Sequence, residues 1–446
     1  MLVRFIVSNF LSFGEEVEFN MLVGPFKTHQ NHIHEGPVKT LRSAAIYGAN
    51  GAGKSNLIKA IEFLQDAVHE GGLNGSTDSV KFKLNRENSE IPVSFEIEFV
   101  IEKKMYAYGI SFDKSRILKE WLVETGVSKD DKLIFNREVG KSGNVSITLA
   151  TKYYKTQKQK LLIELVKENL LKNNELFLCK DEVLKIKEIT NFKNKILKGL
   201  VVIHPQTKYG GLVRNLTTSN KFKTFANNLL ETFDTGVCEL GVENVAFDKY
   251  FGEDDEVLKS NLITELSQGK SILLNDYGKG VLITSDDEGN YVVKKVISNH
   301  IDNHGDKIAF ELDDESDGTQ RLLDFIPAFN AILEQEVTYI IDEVDQSLHP
   351  ALLKALIKKI MDEEVVKGQL IFTTHESNLL DLDIFRQDEI WFVEKGKKDN
   401  SSKIYSLSEY KPRYDLDIRK GYLKGRFGAI PFLANLEELN WGDYDS

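Results

Sequence analysis

Cysteine, proline and long apolar runs are all scarce in this sequence. Cys179 and Cys238 are the only cysteines among 446 residues. Two cysteines in so long a chain provide no disulfide framework and favour a reducing compartment, so we expect a cytoplasmic protein. No apolar run approaches the roughly 18 residues of a membrane span. The segment Met1–Val7 is followed at once by polar residues, so it predicts a first strand rather than a signal peptide.

Basic residues are also fewer than acidic ones, with 57 lysines and arginines against 69 aspartates and glutamates. The net charge of −12 and the isoelectric point near 5.4 give no overall attraction to nucleic acid. One local exception lies between Lys152 and Lys198, where twelve lysines stand against six acidic residues. This run is typical of a solvated helical face, and it also fits a surface for nucleic acid or an acidic partner. The sequence leaves both interpretations open.

The most specific segment is residues 48–55, Gly-Ala-Asn-Gly-Ala-Gly-Lys-Ser, directly after the apolar run Ala44–Tyr47. It matches the phosphate-binding loop G-x-x-x-x-G-K-[ST]. Glycines let the backbone wrap around a triphosphate, with N–H groups and the next helix N-terminus facing the anion. Lys54 is expected to reach the β- and γ-phosphates, and Ser55 to ligate Mg²⁺. The predicted nucleotide-binding residues here are Gly48, Asn50, Gly51, Gly53, Lys54, Ser55 and Asn56. No Asn-Lys-x-Asp guanine motif occurs, which favours ATP over GTP.

A second acidic motif follows an apolar strand. Val337–Ile341 ends in Asp342 and Glu343, which is the arrangement called Walker B. Asp342 is predicted to hold Mg²⁺ through water. Glu343 is placed to orient or deprotonate the attacking water, which makes it the predicted catalytic base.

Three further segments follow in the order expected of an ABC-type ATPase. Ser316 and Gly318, at the start of a predicted helix, resemble the ABC signature, whose N–H donors face the γ-phosphate of the opposite subunit. Asp345–Pro350 occupies the place of the D-loop. His375 ends the apolar strand Leu370–Thr374 and matches the switch histidine that contacts the γ-phosphate.

Two features do not complete the pattern. The metal-contacting glutamine of ABC ATPases has no clear counterpart between residues 80 and 125, so that role is unassigned. The group His29, His32 and His34 lacks cysteine partners and metal-site spacing, and we interpret it as a loop or a surface near the nucleotide.

The pattern of elements predicts an α/β fold in three parts. Residues 1–125 form an N-terminal lobe with the phosphate loop and strands such as Val93–Phe99. Residues 126–300 are expected to be a mainly helical insertion with a β-hairpin at 281–297. Residues 301–446 alternate strand and helix, which favours a parallel sheet. Together these predict an ABC-type ATPase head with mixed and parallel sheets, flanking helices and one insertion.

The order of motifs resembles the ABC/SMC-like "AAA-type" ATPases of prokaryotes, which include RecF-like repair proteins, the OLD family and ATPase subunits of anti-phage systems such as PARIS and Septu. The motifs that carry the resemblance cover about 270 residues, and the inserted middle contributes little. The C-terminal segment 421–431 adds a likeness to small stand-alone ATPases of this group.

The resemblance implies a homodimer or higher homo-oligomer, because each signature acts on the nucleotide of another subunit. It favours a nucleotide-gated sensor or scaffold in a bacterial defence system, which holds a separate nuclease or toxin effector until a phage protein triggers it. The alternatives are a RecF-like clamp that binds DNA through the lysine-rich insertion, and an ATPase that regulates a housekeeping partner.

Overall fold

The computed structural model describes residues 1–126, 130–140, 144–207, 211–252, 256–267, 271–276, 279–286, 289–413 and 416–430. The strands are β1 (Leu2–Ser8), β2 (Val17–Asn20), β3 (Ile33–His34), β4 (Thr40–Leu41), β5 (Ser43–Tyr47), β6 (Val93–Ile101), β7 (Lys104–Asp113), β8 (Arg116–Thr125), β9 (Lys132–Val139), β10 (Val145–Leu149), β11 (Leu200–Ile203), β12 (Glu239–Ala246), β13 (Ile272–Asp276), β14 (Lys279–Ser285), β15 (Tyr291–Ile301), β16 (Lys307–Glu311), β17 (Thr338–Ile341), β18 (Gln369–Thr374), β19 (Ile390–Lys395) and β20 (Ser402–Ser406).

The α-helices are α1 (Lys54–Glu70), α2 (Gln157–Leu165), α3 (Asp181–Leu184), α4 (Lys187–Gly199), α5 (Leu212–Thr218), α6 (Asn220–Thr232), α7 (Phe247–Phe251), α8 (Glu256–Leu266), α9 (Asp317–Glu334), α10 (Pro350–Asp362) and α11 (Ile418–Leu423). The chain forms two compact units. Unit 1 comprises residues 1–202, 336–343 and 361–446, and unit 2 comprises residues 203–335 and 344–360.

An antiparallel sheet in unit 1 follows from alternating sequences. Its strand order is β10-β9-β8-β7-β6-β1-β2. In β6, the predicted strand Val93–Phe99, Val93, Phe95 and Ile97 are buried while Ser94 and Glu96 are half-exposed. This period of two places one face of the sheet in the core. Phe95 lies opposite Ile110 of β7, which extends that apolar face across the strands.

The second sheet of unit 1 has the strand order β11-β17-β18-β5-β19-β20. The pairs β17–β18, β18–β5 and β5–β19 are parallel, and β19–β20 is antiparallel. Every residue of β5, β17 and β18 is buried. Continuous apolar runs are typical of parallel strands that are covered on both faces. The expected parallel sheet is therefore confirmed, and with it the α/β fold class.

Helix α1 packs on the core of unit 1 in the predicted way. Leu57, Ile58, Ala60, Ile61 and Leu64 are buried, which is the helical spacing of one apolar face. Phe63 joins an aromatic cluster with the rings of Phe10, Phe95 and Phe112. This packing fixes the helix that begins at the phosphate loop.

Unit 2 contains a sheet with the strand order β12-β15-β14-β13, and β16 also pairs with β15. The predicted hairpin at 281–297 is confirmed, because β14 and β15 pair antiparallel with Ile283 opposite Val293. Residues 287–288 of its turn lie outside the described residues. Helix α9 continues through Pro327, so the break that a mid-helix proline favours does not occur.

The compact units do not follow the predicted three-part division. Strands β9 and β10 fall in the predicted insertion, yet they extend the antiparallel sheet of unit 1. Helix α4 also belongs to unit 1, where Phe192 packs against Phe99 and Tyr108. The segment 126–300 is also less helical than expected, since it contains β9–β14 and most of β15. Backbone pairing and burial, rather than position in the chain, decide which unit a segment joins.

Candidate nucleotide site

Three predicted motifs begin where parallel strands end. Gly48 follows β5, Asp342 follows β17 and His375 follows β18. The register places Tyr47 opposite Thr374 and Ile341 opposite Phe372. Because these strands are adjacent and parallel, their carboxyl ends share one edge of the sheet. Four predicted residues, Lys54, Asp342, Glu343 and His375, therefore lie at or beside this edge in unit 1.

The glycines of the phosphate loop are required by close backbone approaches. A Cβ atom on Gly48 would lie 2.4 Å from the carbonyl oxygen of Val393. A Cβ atom on Gly53 would lie 2.4 Å from Ser402 Oγ, and the φ of Gly53 is +117°. That φ is in the region that favours glycine. Gly51 also has a positive φ, of +71°, but open space surrounds it.

Lys54 is buried, and its ammonium lies within the loop. Its Nζ donates to the carbonyl oxygen of Gly48 at 2.9 Å and lies 2.9 Å from His375 Nε2. Only 5% of Lys54 is exposed, whereas His375 is exposed. The structure thus brings together two residues that are 321 positions apart in the sequence. Both were predicted to contact the same phosphate.

A single hydroxyl links the two acidic residues. Thr373 Oγ1 donates to Asp342 Oδ1 and accepts the backbone N–H of Glu343 at 2.8 Å. Asp342 is buried, so its carboxylate is held by this bond at the end of β17. Glu343 has a φ of +51°, which costs a non-glycine residue about 1–2 kcal/mol. Strain of this kind clusters at functional sites. The sequence analysis did not identify Thr373.

These residues fit a nucleotide triphosphate with Mg²⁺. Side chains at Gly48 and Gly53 would collide with Val393 and Ser402, so glycine at both positions lets the loop keep its tight path. The Ser55 hydroxyl and the Asp342 carboxylate are the hard oxygen ligands that Mg²⁺ prefers. Ser55 lies in the first turn of α1, where backbone N–H groups can face an anion, whereas the Asn56 N–H donates to the carbonyl oxygen of Gly53 at 3.1 Å.

Serines from distant segments support the loop, and the sequence analysis missed them. Ser402 Oγ donates to the carbonyl oxygen of Ala52 at 2.6 Å, and the Ser402 N–H donates to the carbonyl oxygen of Ser12 at 2.7 Å. The Gly14 N–H donates to Ser401 Oγ. Ser12 Oγ is buried without a hydrogen-bond partner among the described residues.

A basic pocket of about 320 Å³ lies beside the first turns of α1. Asn56 and Lys59 of α1 line it, together with Lys83 from a loop and Lys395 at the end of β19. Lys81 also lines it, and its Nζ lies 2.6 Å from Asp113 Oδ1. The lining includes no carboxylate. The pocket therefore favours an anionic or polar ligand next to the phosphate loop.

In unit 2, Ser316 caps the start of α9. Its Oγ accepts the backbone N–H of Thr319 at 3.2 Å, which makes Ser316 the N-cap of the helix. A Cβ atom on Gly318 would lie 3.0 Å from the carbonyl oxygen of Ser347. The predicted signature therefore packs closely against the predicted D-loop within one unit.

The interpretation of the histidine group as a loop or surface is wrong for His32. His32 is buried, and its Nδ1 lies 2.9 Å from Glu389 Oε2. His34 Nε2 lies 3.0 Å from the carbonyl oxygen of Gly368, and burial lowers the pKa of His34 to about 4. Among the described residues no cluster of histidine, cysteine or carboxylate side chains fits a metal ion. His32 therefore packs in the interior of unit 1, whereas His34 is half-buried in β3.

The parallel sheet, the phosphate loop and the acids at its edge define a P-loop nucleotide-binding protein. The chain matches the family described as "AAA domain, putative AbiEii toxin, Type IV TA system" over residues 43–176 and 193–381. This match covers more than half of the sequence, so the chain belongs to that family. No curated protein matches it significantly in sequence.

Solved structures with similar folds are SMC head domains. One is the "SMC head domain from Thermotoga maritima", with 12% identity, coverage of 91% of this chain and 98% of that chain, and a TM-score of 0.40. Another is the "Smc head domain with an extended coiled coil bound to the C-terminal domain of ScpA derived from Pyrococcus furiosus", with 14% identity, coverage of 92% and 97%, and a TM-score of 0.42. In the described parts of the chain, no helix is both long and apolar enough to span a membrane.

Proposed function

We propose that the chain binds ATP with Mg²⁺ and hydrolyses it to ADP and phosphate. The observation that carries this proposal is the meeting of Lys54, His375 and the Thr373-linked pair Asp342 and Glu343 at one sheet edge. Lys54 and His375 contact the terminal phosphates. The adjacent basic pocket takes the remainder of the nucleotide.

Ser55 and Asp342 are the residues that hold Mg²⁺, directly or through water. The ion neutralises charge on the phosphate oxygens when it is bound. Glu343 orients the attacking water and accepts its proton, since its backbone is fixed by Thr373. Removing such a base typically lowers the rate by about 10²–10⁴-fold.

The test is a turnover and binding measurement on the full chain. We expect Mg²⁺-dependent release of phosphate from ATP, and tighter binding of ATP with Mg²⁺ than with EDTA. Absence of ATP binding at millimolar nucleotide in the presence of Mg²⁺ would refute the assignment of the site.

We also propose that two copies share each ATP. Ser316 and Gly318 start a capped helix whose N–H donors can face the phosphate bound by another copy. ATP can promote this pairing only through tighter binding to the paired state. Light scattering with ATP should give at least twice the monomer mass for the hydrolysis-deficient Glu343→Gln variant. A monomer under those conditions contradicts sharing.

At the level of biology, the proposal is a cytoplasmic, nucleotide-gated sensor or scaffold of an anti-phage defence system. The family description, which mentions a toxin and a toxin–antitoxin system, supports this class of role. A separate nuclease or toxin would be the effector, and a phage protein is a candidate trigger. Plaque assays in the native host should show protection with the wild-type gene and none with Lys54→Ala. Equal plaque numbers would argue against a defence role.

A DNA-binding clamp is the second candidate, and one observation favours it. Lys155, Lys158 and Lys160 are exposed on or beside α2, whereas Lys152 already pairs with Glu188. A clamp should lose DNA affinity steeply with salt, by a factor that grows with each phosphate contacted. Charge reversal of all four lysines should then weaken DNA binding and spare ATP turnover. Unchanged DNA binding would mean that the lysine-rich run between Lys152 and Lys198 is only a solvated helical face.

A further inference from the structure

An acidic cleft in unit 1 lies between the edge strands of its two sheets. Strand β2 ends the antiparallel sheet and β20 ends the other. The cleft has a volume of about 390 Å³, within the range of ligand pockets. Four glutamates line it, against one lysine: Glu15, Glu16, Glu18 and Glu409, with Lys403.

Two of these four glutamates have partners within the protein, and two do not. Glu18 accepts a hydrogen bond from Arg4 at 3.3 Å, and Glu409 accepts the backbone N–H of Ser406 at 3.0 Å. Glu15 and Glu16 are both exposed, and no cation pairs with either in the described part of the chain. Adjacent carboxylates in this position repel each other unless a cation lies nearby. The cleft therefore favours a cationic ligand.

The cleft also contains a buried hydrogen-bond donor, the indole N–H of Trp391, which indicates a ligand that carries an acceptor as well as a positive charge. Trp391 of β19 lines the cleft and is 5% exposed, and its Nε1 has no acceptor among the described residues. The ring is fixed by an edge contact with Phe19, at a centroid distance of 5.1 Å. A buried donor without an acceptor is costly, because it has lost its bond to water. A ligand that brings a carbonyl oxygen would remove that cost.

We propose that this cleft binds a peptide segment that carries arginine or lysine. A main-chain carbonyl accepts the N–H of Trp391, and the cationic side chain lies among the glutamates. A metal ion would satisfy the carboxylates and leave the indole donor unpaired. A peptide supplies both chemical groups at once, and it is the chemistry expected of a basic segment on a partner protein. This inference goes beyond the ATP site and does not depend on hydrolysis.

The probe is the labelled peptide acetyl-Gly-Ser-Arg-Ser-Gly-Arg-Ser-Gly-amide, followed by fluorescence anisotropy without nucleotide. The matched probe replaces both arginines with citrulline, which keeps the shape and removes the charge. We expect the arginine peptide to bind about 10-fold or more tightly than the citrulline peptide. Equal affinity for the two peptides would overturn the proposal.

Variants separate the cleft from the general negative charge of the protein. Glu15→Gln combined with Glu16→Gln should weaken binding of the arginine peptide by about 10-fold. The control combines Glu87→Gln with Glu90→Gln, two exposed glutamates that do not line the cleft, and should change the affinity less than about 2-fold. Equal effects of the two double variants would mean non-specific attraction and refute the site.

The role of the indole has its own variant. Trp391→Phe keeps the ring contact with Phe19 and removes only the N–H donor, so folding is preserved, which thermal unfolding checks. It should weaken the arginine peptide about 3–10-fold, the usual effect of one lost hydrogen bond. Butylguanidine, a cation without a carbonyl, should bind the wild type and this variant equally. A variant that binds the peptide as tightly as the wild type would remove Trp391 from the site and overturn the proposed mode.

Discussion

In unit 1, the residues where β5, β17 and β18 end are held by contacts between distant parts of the chain. In unit 2, the start of α9 is held mainly by contacts within one helical turn. Lys54 meets His375, and Thr373 joins Asp342 and Glu343 across two strands. Ser316 bonds to Thr319, three residues away. The first region contains the Lys54 ammonium and the carboxylates of Asp342 and Glu343. The second offers hydrogen-bond donors at a helix start. Under the proposed function, unit 1 binds the nucleotide and the start of α9 in unit 2 supplies hydrogen-bond donors to the nucleotide of another copy.

The largest effect should come from Lys54→Ala, because it removes the cation that faces the terminal phosphates. ATP turnover should fall to the level of a protein-free control, and nucleotide binding should weaken. Lys39→Ala, an exposed lysine of unit 1 that pairs with Glu35, is the control and should change neither. Turnover near the wild-type rate in Lys54→Ala would contradict the phosphate-loop assignment.

Glu343→Gln should lower turnover by about 10²–10⁴-fold while ATP binding persists, because the amide cannot act as a base. Loss of the negative charge near the phosphate should also favour an ATP-bound assembly, which light scattering measures. Glu364→Gln, an exposed residue, serves as the control.

The backbone of Glu343 gives a second variant at the same position. Glu343→Gly should abolish turnover without lowering the melting temperature, since glycine accepts a φ of +51° without strain. A large loss of stability would instead indicate that the side chain is structural. Wild-type turnover in Glu343→Gln would eliminate the catalytic role.

Ser316→Arg tests the start of α9 in unit 2. The bulk and charge of the arginine should lower turnover by about 10²-fold or more, because a hydrogen-bond donor is lost from the site shared between two copies. Nucleotide binding to unit 1 should persist. Ser316→Thr keeps the N-cap and should remain active. A mixture of Ser316→Arg with Lys54→Ala should recover at most one complete site per pair. Normal hydrolysis by Ser316→Arg alone would mean that the two regions act independently.

Thr373→Val should lower turnover by about 10–100-fold, as is typical when the partner of a metal ligand is removed. The variant leaves Asp342 Oδ1 and the N–H of Glu343 without this hydroxyl. Thr373→Ser retains the hydroxyl and should restore activity and the Mg²⁺ dependence. If Thr373→Ser lowers turnover as much as Thr373→Val does, the hydroxyl is not the group responsible.

The smallest expected effect is on folding stability, and it concerns His34, which lies in unit 1 away from the candidate site. Burial lowers the pKa of His34 to about 4, below the 6.5 of a free histidine. The unfolded chain therefore binds this proton at a higher pH than the folded chain. The contribution of His34 to the free energy of unfolding is therefore complete above about pH 6.5 and falls as the pH drops toward 4. The loss at pH 5 should be about 1–2 kcal/mol.

Denaturant unfolding at pH 7 and pH 5 measures this effect. His34→Gln should lose less stability between the two pH values than the wild type. His69→Gln, at an exposed histidine, should behave like the wild type. An unchanged pH dependence in His34→Gln would show that His34 is not the group responsible.

The sequence was most informative where chemistry requires a local pattern. Residues 48–55 could be recognised because glycine spacing and the lysine are fixed by the shape of a phosphate. The buried strands were also predictable, since β5, β17 and β18 each contain an apolar run of three or four residues. The division into domains was less predictable. Strands β9 and β10 carry no local sign that they extend the antiparallel sheet.

By itself the sequence determined the phosphate loop and the acids that end an apolar strand, because each is encoded within about ten consecutive residues. It also determined the α/β class, through the alternation of strand and helix patterns over residues 301–446. Only the tertiary structure decided that Thr373 joins Asp342 to Glu343, that Ser402 supports the loop, and that His32 is buried against Glu389. It alone also assembled the acidic cleft around Trp391. These contacts join residues from 30 to more than 350 positions apart. No local pattern specifies such pairs, because they arise from the packing of whole strands.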